Sequence, residues 1–474
     1  MAKTASMVYQ IARCQTPGYN SRKIFVIRDL LSIMKPEMRL TPPGPAAVEI
    51  LKRDARVVSQ SMAREYPLVL HRADGVNLWD VDGNRYLDFT AGIAVMNVGW
   101  NNPRVVHAVE EQAKLLSHGA FLDFCSEIPV AFAEKLTEFL SEGHNRVYFS
   151  NSGAECVEAA LKLARYHTKR KYFLSFYGGF HGRTYGALSL TASNVIQRKH
   201  FGPFLPVIHA PYANPYRPLG GEAATSDVDV IRYIKEHIFR TEVSPEEIAA
   251  IVVEPIQGEG GYIVPPLTFL PRLRDICDEY GILLVADEVQ SGCFRTGTFL
   301  ASEHSGVKAD IVCLAKAIGG GMPLGVTVAR DEIMDWPPGS HASTFGGNNL
   351  SCAAGLAVLE ILQERGFGEK VLEKGRYLLE GLHRLQQKHD LIGDVRGIGL
   401  MCAIELVTNR ETKEPACDER GRIIRQAFEQ GFTLLPAGAS TIRFIPPLTI
   451  EKGDIATGLD IVDIALGRCE GMRS

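Results

Sequence analysis

Between residues 146 and 315 the chain alternates short apolar runs with helical patterns, and that alternation leaves few folds open. The runs fall at 146–150, 171–176, 249–253, 282–286 and 311–315, each ending at a glycine-rich turn or a polar residue. Strands separated by helices line up in parallel, and the helices then cover the sheet. Helical signals fill the gaps. After Gly153, the residues Val157, Ala160, Leu161 and Ala164 recur at the i, i+3, i+4, i+7 spacing of one helix face. Leu270, Leu273, Ile276, Cys277 and Tyr280 repeat the pattern and stop at Gly281, which suits a helix end. The expected class is α/β, a large domain with a mostly parallel sheet covered by helices.

The flanks read differently. "TPPGP" opens a helix over 46–55, and "VNLWDVDGNRYLDF" reads as a hairpin turning at Asp82 and Gly83. The stretch 211–225, rich in Pro, Gly and Ala, reads as an irregular surface loop. Beyond about residue 364, helices alternate with short strands at "LIGDVRG", "GLMCAIELV" and "STIRFIPPLTI", which suggests a smaller α+β domain. The expected organisation is an extension over 1–40, poorly ordered, a small-domain segment over 41–97, the large domain over 98–363 and the small domain over 364–474. Lys3, Arg13, Arg22, Lys23 and Arg28 all precede the first acid, Asp29. The reading preferred is an extension or an early start, with Met34 or Met38 as the true beginning. A basic, acid-free start can also be a transit peptide. The cytoplasm is thus the expected compartment, with the mitochondrial matrix as the alternative.

Composition removes several functions. Basic residues number 51 and acidic ones 55, without the basic excess of a nucleic-acid or membrane-surface binder. No apolar run is long enough to span a bilayer. The ten cysteines include no C-x-x-C pair and the histidines no H-E-x-x-H, so no metal is expected. G-x-G-x-x-G after a strand, the P-loop and G-x-S-x-G are likewise missing.

Chemistry then concentrates at the carboxyl ends of the strands, where open α/β sheets bind ligands. One strand leads to "NSGAE", where the amides of Gly153 and Ala154 at a helix start can hold a phosphate. Others deliver Glu254, the pair Asp287 and Glu288, and Lys316 before "AIGGGMPLG". A desolvated lysine is a nucleophile for carbonyls. Lysine, aspartate and a phosphate turn together are what pyridoxal 5'-phosphate (PLP) requires: Schiff base, pyridinium partner and phosphate anchor.

The ordered stretches "SNSGAE", "GGFHGRT", "EPIQGEGG", "LLVADEVQSG", "LAKAIGGGMPLG", "STFGGN" and "IRFIPPLTI" resemble the class III, or ω-amino acid, aminotransferases of PLP-dependent fold type I. The resemblance covers nearly everything from Thr41 onward and is nearest to 4-aminobutyrate aminotransferases. It implies that Lys316 is the Schiff-base lysine and proton shuttle and that Asp287 pairs with the pyridine nitrogen. Phe180 would stack on the ring, Val289 pack on its other face and Gln290 contact the phenolic oxygen. Gly153 and Ala154 would bind the phosphate, with Thr344 of the partner subunit completing that site. A homodimer or a dimer of dimers follows. For substrates, the resemblance makes Arg443 the arginine for the α-carboxylate of 2-oxoglutarate or glutamate, and Glu259 its cover. Arg183 would hold the donor's far carboxylate, and Ile93 would line that pocket.

The sequence departs from the family at Cys293 and Phe294, where an aromatic and then a glycine are common, at Asn349 for proline, and at Cys156 for alanine. Phe294 is expected to narrow a loop near the site. His181 reads as structural. The implied reaction moves an ω-amino group, 4-aminobutyrate by preference, to 2-oxoglutarate. Ornithine and acetylornithine aminotransferases share the motifs. A racemase on the same scaffold remains open, although no second base is evident.

Overall fold

The computed structural model describes residues 35–140, 143–219, 221 and 226–472. Most of the expected N-terminal extension therefore lies outside the described residues, as does part of the 211–225 loop. Near the N-terminus, β1 (Leu70–Asp74), β2 (Asn77–Asp80) and β3 (Arg85–Asp88) form an antiparallel meander whose second turn holds Asp82 and Gly83. Asp80 fixes that turn by accepting from the backbone of Asp82 and Asn84.

Seven strands make the central sheet: β4 (His144–Ser150), β5 (Tyr172–Phe176), β6 (Val207–Ala210), β7 (Ile248–Val253), β8 (Leu283–Asp287), β9 (Ile311–Leu314) and β10 (Gly325–Arg330). Their order is β4-β10-β9-β8-β7-β5-β6, and only β10 runs against its neighbours. β4 is therefore aligned with the parallel strands, and its carboxyl end reaches the same edge as theirs. The period-2 geometry of a strand divides the sheet's side chains between two layers. Leu174, Ile251, Val253, Leu284 and Leu314 enter one core, while Phe173, Val252, Val285, Ile311 and Cys313 enter the other. The helix Phe269–Tyr280 covers the first layer and the helix Gly153–Thr168 the second. Both apolar stripes are those read in the sequence, and Gly281 ends its helix in the left-handed conformation.

A second core forms around β11 (Ile392–Ile398), β12 (Met401–Asn409), β13 (Glu414–Pro415), β14 (Phe432–Thr433), β15 (Leu435–Ala437) and β16 (Thr441–Phe444). β14 pairs in parallel with β3, which brings Val76, Leu87 and Phe89 into this core. The loop after Pro211 is irregular, yet Tyr212 and Ala213 are buried and the Tyr212 hydroxyl donates to Glu254 O at 2.9 Å. It is not simply a surface loop.

Phe294 corrects another expectation. Its ring is absent from the walls of the cavity described below and packs between the two cores, against Phe139, Phe299 and Phe367. It does so at a φ of +60°, a conformation that favours glycine. Phe294→Gly is expected to recover about 1 kcal/mol of backbone strain and lose about 3 kcal/mol of packing. Denaturant unfolding should show a net destabilisation of about 2 kcal/mol. Unchanged stability would refute the bridging role. Next to it, Arg295 is fully buried without a carboxylate and donates to Leu400 O, Pro446 O and Asn97 Oδ1, joining three segments. Burial lowers its pKa to about 10.

Candidate active site

At the carboxyl edge of the central sheet, Gly153, Ala154, Phe180, His181, Gly182, Arg183, Glu254, Asp287, Val289, Gln290 and Lys316 line one cavity of about 260 Å³. Each reaches it for a topological reason. Strand β4 ends at Ser150, and Ser152 then caps the helix that begins at Gly153 by accepting from Glu155 N at 3.3 Å. The first amides of that helix face the cavity without intrahelical partners. Gly153 has no room for a side chain, since a Cβ there would stand 2.8 Å from Val289 Cγ1.

Strand β8 ends on Asp287, whose Oδ1 accepts from Val289 N at 3.1 Å and whose Oδ2 meets His181 Nδ1 at 2.7 Å. Burial alone would lower the His181 pKa, but the bond and charge of Asp287 outweigh it and the pKa is raised. The contact fixes the Asp287 carboxyl at the cavity wall, with Ser175 Oγ 3.3 Å behind His181 Nε2. Lys316 follows β9 at a φ of +49°, a strained conformation of the kind found at functional sites. Its amine makes no hydrogen bond or ion pair among the described residues. Burial holds its pKa below the usual range, against the nearby charges of Glu259 and Asp287. A lysine desolvated in this way has the lowered basicity that a nucleophilic lysine requires.

Beside the cavity, Arg443 on β16 pairs with Glu259, Nη1 to Oε1 at 2.6 Å. The Arg443 side chain is 5% exposed and that of Glu259 27% exposed, so the carboxylate is the partner that can swing outward. Burial would lower the arginine's pKa, but Glu259 raises it. Arg443 Nε is buried without a partner. Arg183 is exposed at the mouth, 5.9 Å from the Phe180 ring, and joins no ion pair among the described residues.

Ile93 and Thr344 are not in the walls of this chain's cavity. Ile93 lies on a left-handed turn, Ala91–Ala94, where four successive residues have φ between 45° and 66°. Asp88 stabilises this turn by accepting from Thr90 N and Ala91 N. Thr344 is exposed in a loop.

Of the other polar residues near the cavity, Glu254 and Glu288 are legible at strand ends in the sequence, whereas Tyr262 is not. Glu254 accepts from Phe180 N and Gly258 N, each at 2.9 Å, and so ties the cavity wall to the loop bearing Glu259. Burial pushes its pKa up to about 7. Tyr262 donates to Gln290 Oε1 at 2.7 Å. Glu288 instead accepts from Ser291 Oγ, Ala301 N and Ser302 N, a structural role. Cys156 takes space beside Gly325, whose absent Cβ would lie 2.6 Å from its sulfur. No metal-ligand cluster occurs among the described residues, and none of their helices is long and apolar enough to cross a membrane.

The family model for class III aminotransferases matches residues 58–466. The chain belongs to the class III aminotransferases. This aminotransferase is PLP-dependent, as the family is. It is 40% identical over 425 residues to a leucine/methionine racemase of Thermococcus litoralis, covering 89% of this chain and 96% of that one. It is 39% identical over 418 residues to the 4-aminobutyrate aminotransferase GabT of Escherichia coli, covering 87% and 97%. Among solved structures, the taurine:2-oxoglutarate aminotransferase of Bifidobacterium kashiwanohense, in complex with PLP and glutamate, superimposes with a TM-score of 0.84. That match is 30% identical and covers 92% of this aminotransferase and 99% of the other chain.

Proposed function

We propose that this aminotransferase moves the amino group of an ω-amino acid, 4-aminobutyrate, to 2-oxoglutarate, giving a semialdehyde and glutamate. The observation that carries the reading is the buried Arg443 beside Lys316, covered by a carboxylate on the more exposed side. An arginine fork binds a carboxylate through two parallel bonds, and a movable glutamate lets one site serve substrates with and without an α-carboxylate.

In this reading the cofactor supplies an aldehyde carbon for the amino group and a ring that withdraws electrons. Lys316 Nζ would hold that carbon and, as a free amine, would take the proton from the donor's amine-bearing carbon. Holding the base at the reacting carbon makes the transfer local. Asp287 would keep the ring nitrogen protonated, Phe180 and Val289 would pack against the ring, and Gln290 would meet its phenolic oxygen. The Gly153 and Ala154 amides would take the phosphate, with Thr344 of the partner subunit completing the site in a homodimer or a dimer of dimers. Arg183 takes the donor's far carboxylate, with Ile93 beside it.

Arg443→Lys keeps the charge and removes the fork. We expect the KM for 2-oxoglutarate to rise about 10- to 100-fold, with the 4-aminobutyrate half-reaction within about twofold of the parent. Equal losses in both half-reactions would contradict the assignment. The similarity to a racemase favours a second reading, racemisation of an α-amino acid. It requires an acid–base group across the reacting carbon from Lys316. Loss of optical rotation from a single chiral amino acid, without any keto acid, would establish it.

A further inference from the structure

The assignments of Gln290 and Arg443 above lead to a residue with no role so far. Tyr262 is fully buried at a φ of +55°, in the loop that follows Glu259. Its hydroxyl donates to Gln290 Oε1 at 2.7 Å. The Arg443 guanidinium stands beside the same side chain, its carbon 6.0 Å from the Tyr262 ring centre. The phenol's one hydrogen goes to Gln290, which leaves the lone pairs of its oxygen to feel the charge of the neighbouring guanidinium. Because Oε1 of Gln290 is occupied as an acceptor, Nε2 is the end of that amide with hydrogens to donate. The amide is also boxed in: a Cβ on Gly258 would stand 2.4 Å from Nε2.

We propose that Tyr262 is a positioning residue that ties the carboxylate arginine to the amide facing the cofactor's phenolic oxygen, so that filling the Arg443 site is felt at the cofactor. When a carboxylate displaces Glu259, Arg443 changes partners. Its pull on the Tyr262 oxygen changes with it. Tyr262 then alters the strength of its bond to Gln290, and Gln290 alters its own donation. Bonds in series polarise one another in this way. Tyr262→Phe keeps the ring and the packing but removes the hydroxyl that stands between Arg443 and Gln290.

The test uses the holoenzyme and the pH titration of its visible cofactor band, with and without saturating glutarate, a dicarboxylate with no group to transaminate. In the wild type, glutarate should displace the midpoint. In Tyr262→Phe, the midpoint without glutarate should move upward by about one pH unit, because a phenolic oxygen that loses a hydrogen donor holds its proton more tightly. The displacement by glutarate should fall to less than half. Gln290→Leu should give the same upward shift, and adding Tyr262→Phe to it should change nothing more. A Tyr262→Phe protein that keeps both the wild-type midpoint and the wild-type displacement overturns the link while leaving the site assignments standing. A wild-type midpoint that glutarate does not move overturns the Arg443 assignment, and the link with it.

Discussion

Lys316→Ala is expected to lose at least about 10⁴-fold in turnover while folding normally. A positioned general base alone contributes about 10²–10⁴-fold, and in the proposed reading this lysine also holds the cofactor. No other amine lines the cavity to replace it. The fold should survive because the Lys316 amine has no hydrogen-bond partner to orphan and its backbone is as strained for alanine as for lysine. Stability also carries a sign. The folded apoprotein holds the Lys316 pKa below 10.5, so between the lowered value and 10.5 the unfolded chain binds more protons. Wild-type stability therefore rises with pH across that window relative to the variant. At neutral pH the apo variant should be at least as stable as the apo wild type, by thermal or denaturant unfolding. Turnover within tenfold of wild type would end the assignment.

Asp287→Asn is expected to cost about 10³-fold in kcat, the scale seen when a preorganised electrostatic partner is removed. The substitution is nearly isosteric, and Val289 N can still donate to the remaining oxygen. What disappears is the negative charge held against His181 at 2.7 Å. His181 would then lose the influence that raises its pKa, leaving burial to lower it. Kinetics should therefore be paired with an NMR titration of the His181 ring. The prediction is a large kcat loss together with a downward His181 shift. A variant within tenfold of wild type in kcat would exclude Asp287 as the ring-nitrogen partner.

The parts of the site that were legible in the sequence are those the strand ends deliver. Gly153, Asp287 and Lys316 each follow an apolar run by a residue or three, and a parallel sheet must bring such positions to one edge. β10 escaped notice because it follows the glycine-rich turn after Lys316 and runs antiparallel, so no helix announces it. β6 is only four residues long. Phe294 is expected from the sequence to narrow a loop near the site, but its left-handed backbone turns the ring to the junction between the cores. Pairings between distant segments were legible only through the resemblance: Glu259 and Arg443 are 184 residues apart. Tyr262 and Gln290 come from different loops, and nothing in local patterning links a tyrosine after "GEGG" to an amide after "ADEV". His181 read as structural because its sequence neighbours gave no sign of Asp287, which lies 106 residues away.

The central claim is most directly tested by the visible absorption spectrum of the purified holoenzyme before and after 4-aminobutyrate is added, and again after 2-oxoglutarate. The account predicts that the cofactor band bleaches with 4-aminobutyrate and returns with 2-oxoglutarate. A band that stays unchanged on adding 4-aminobutyrate, while a chiral α-amino acid loses its optical rotation without any keto acid, would contradict it.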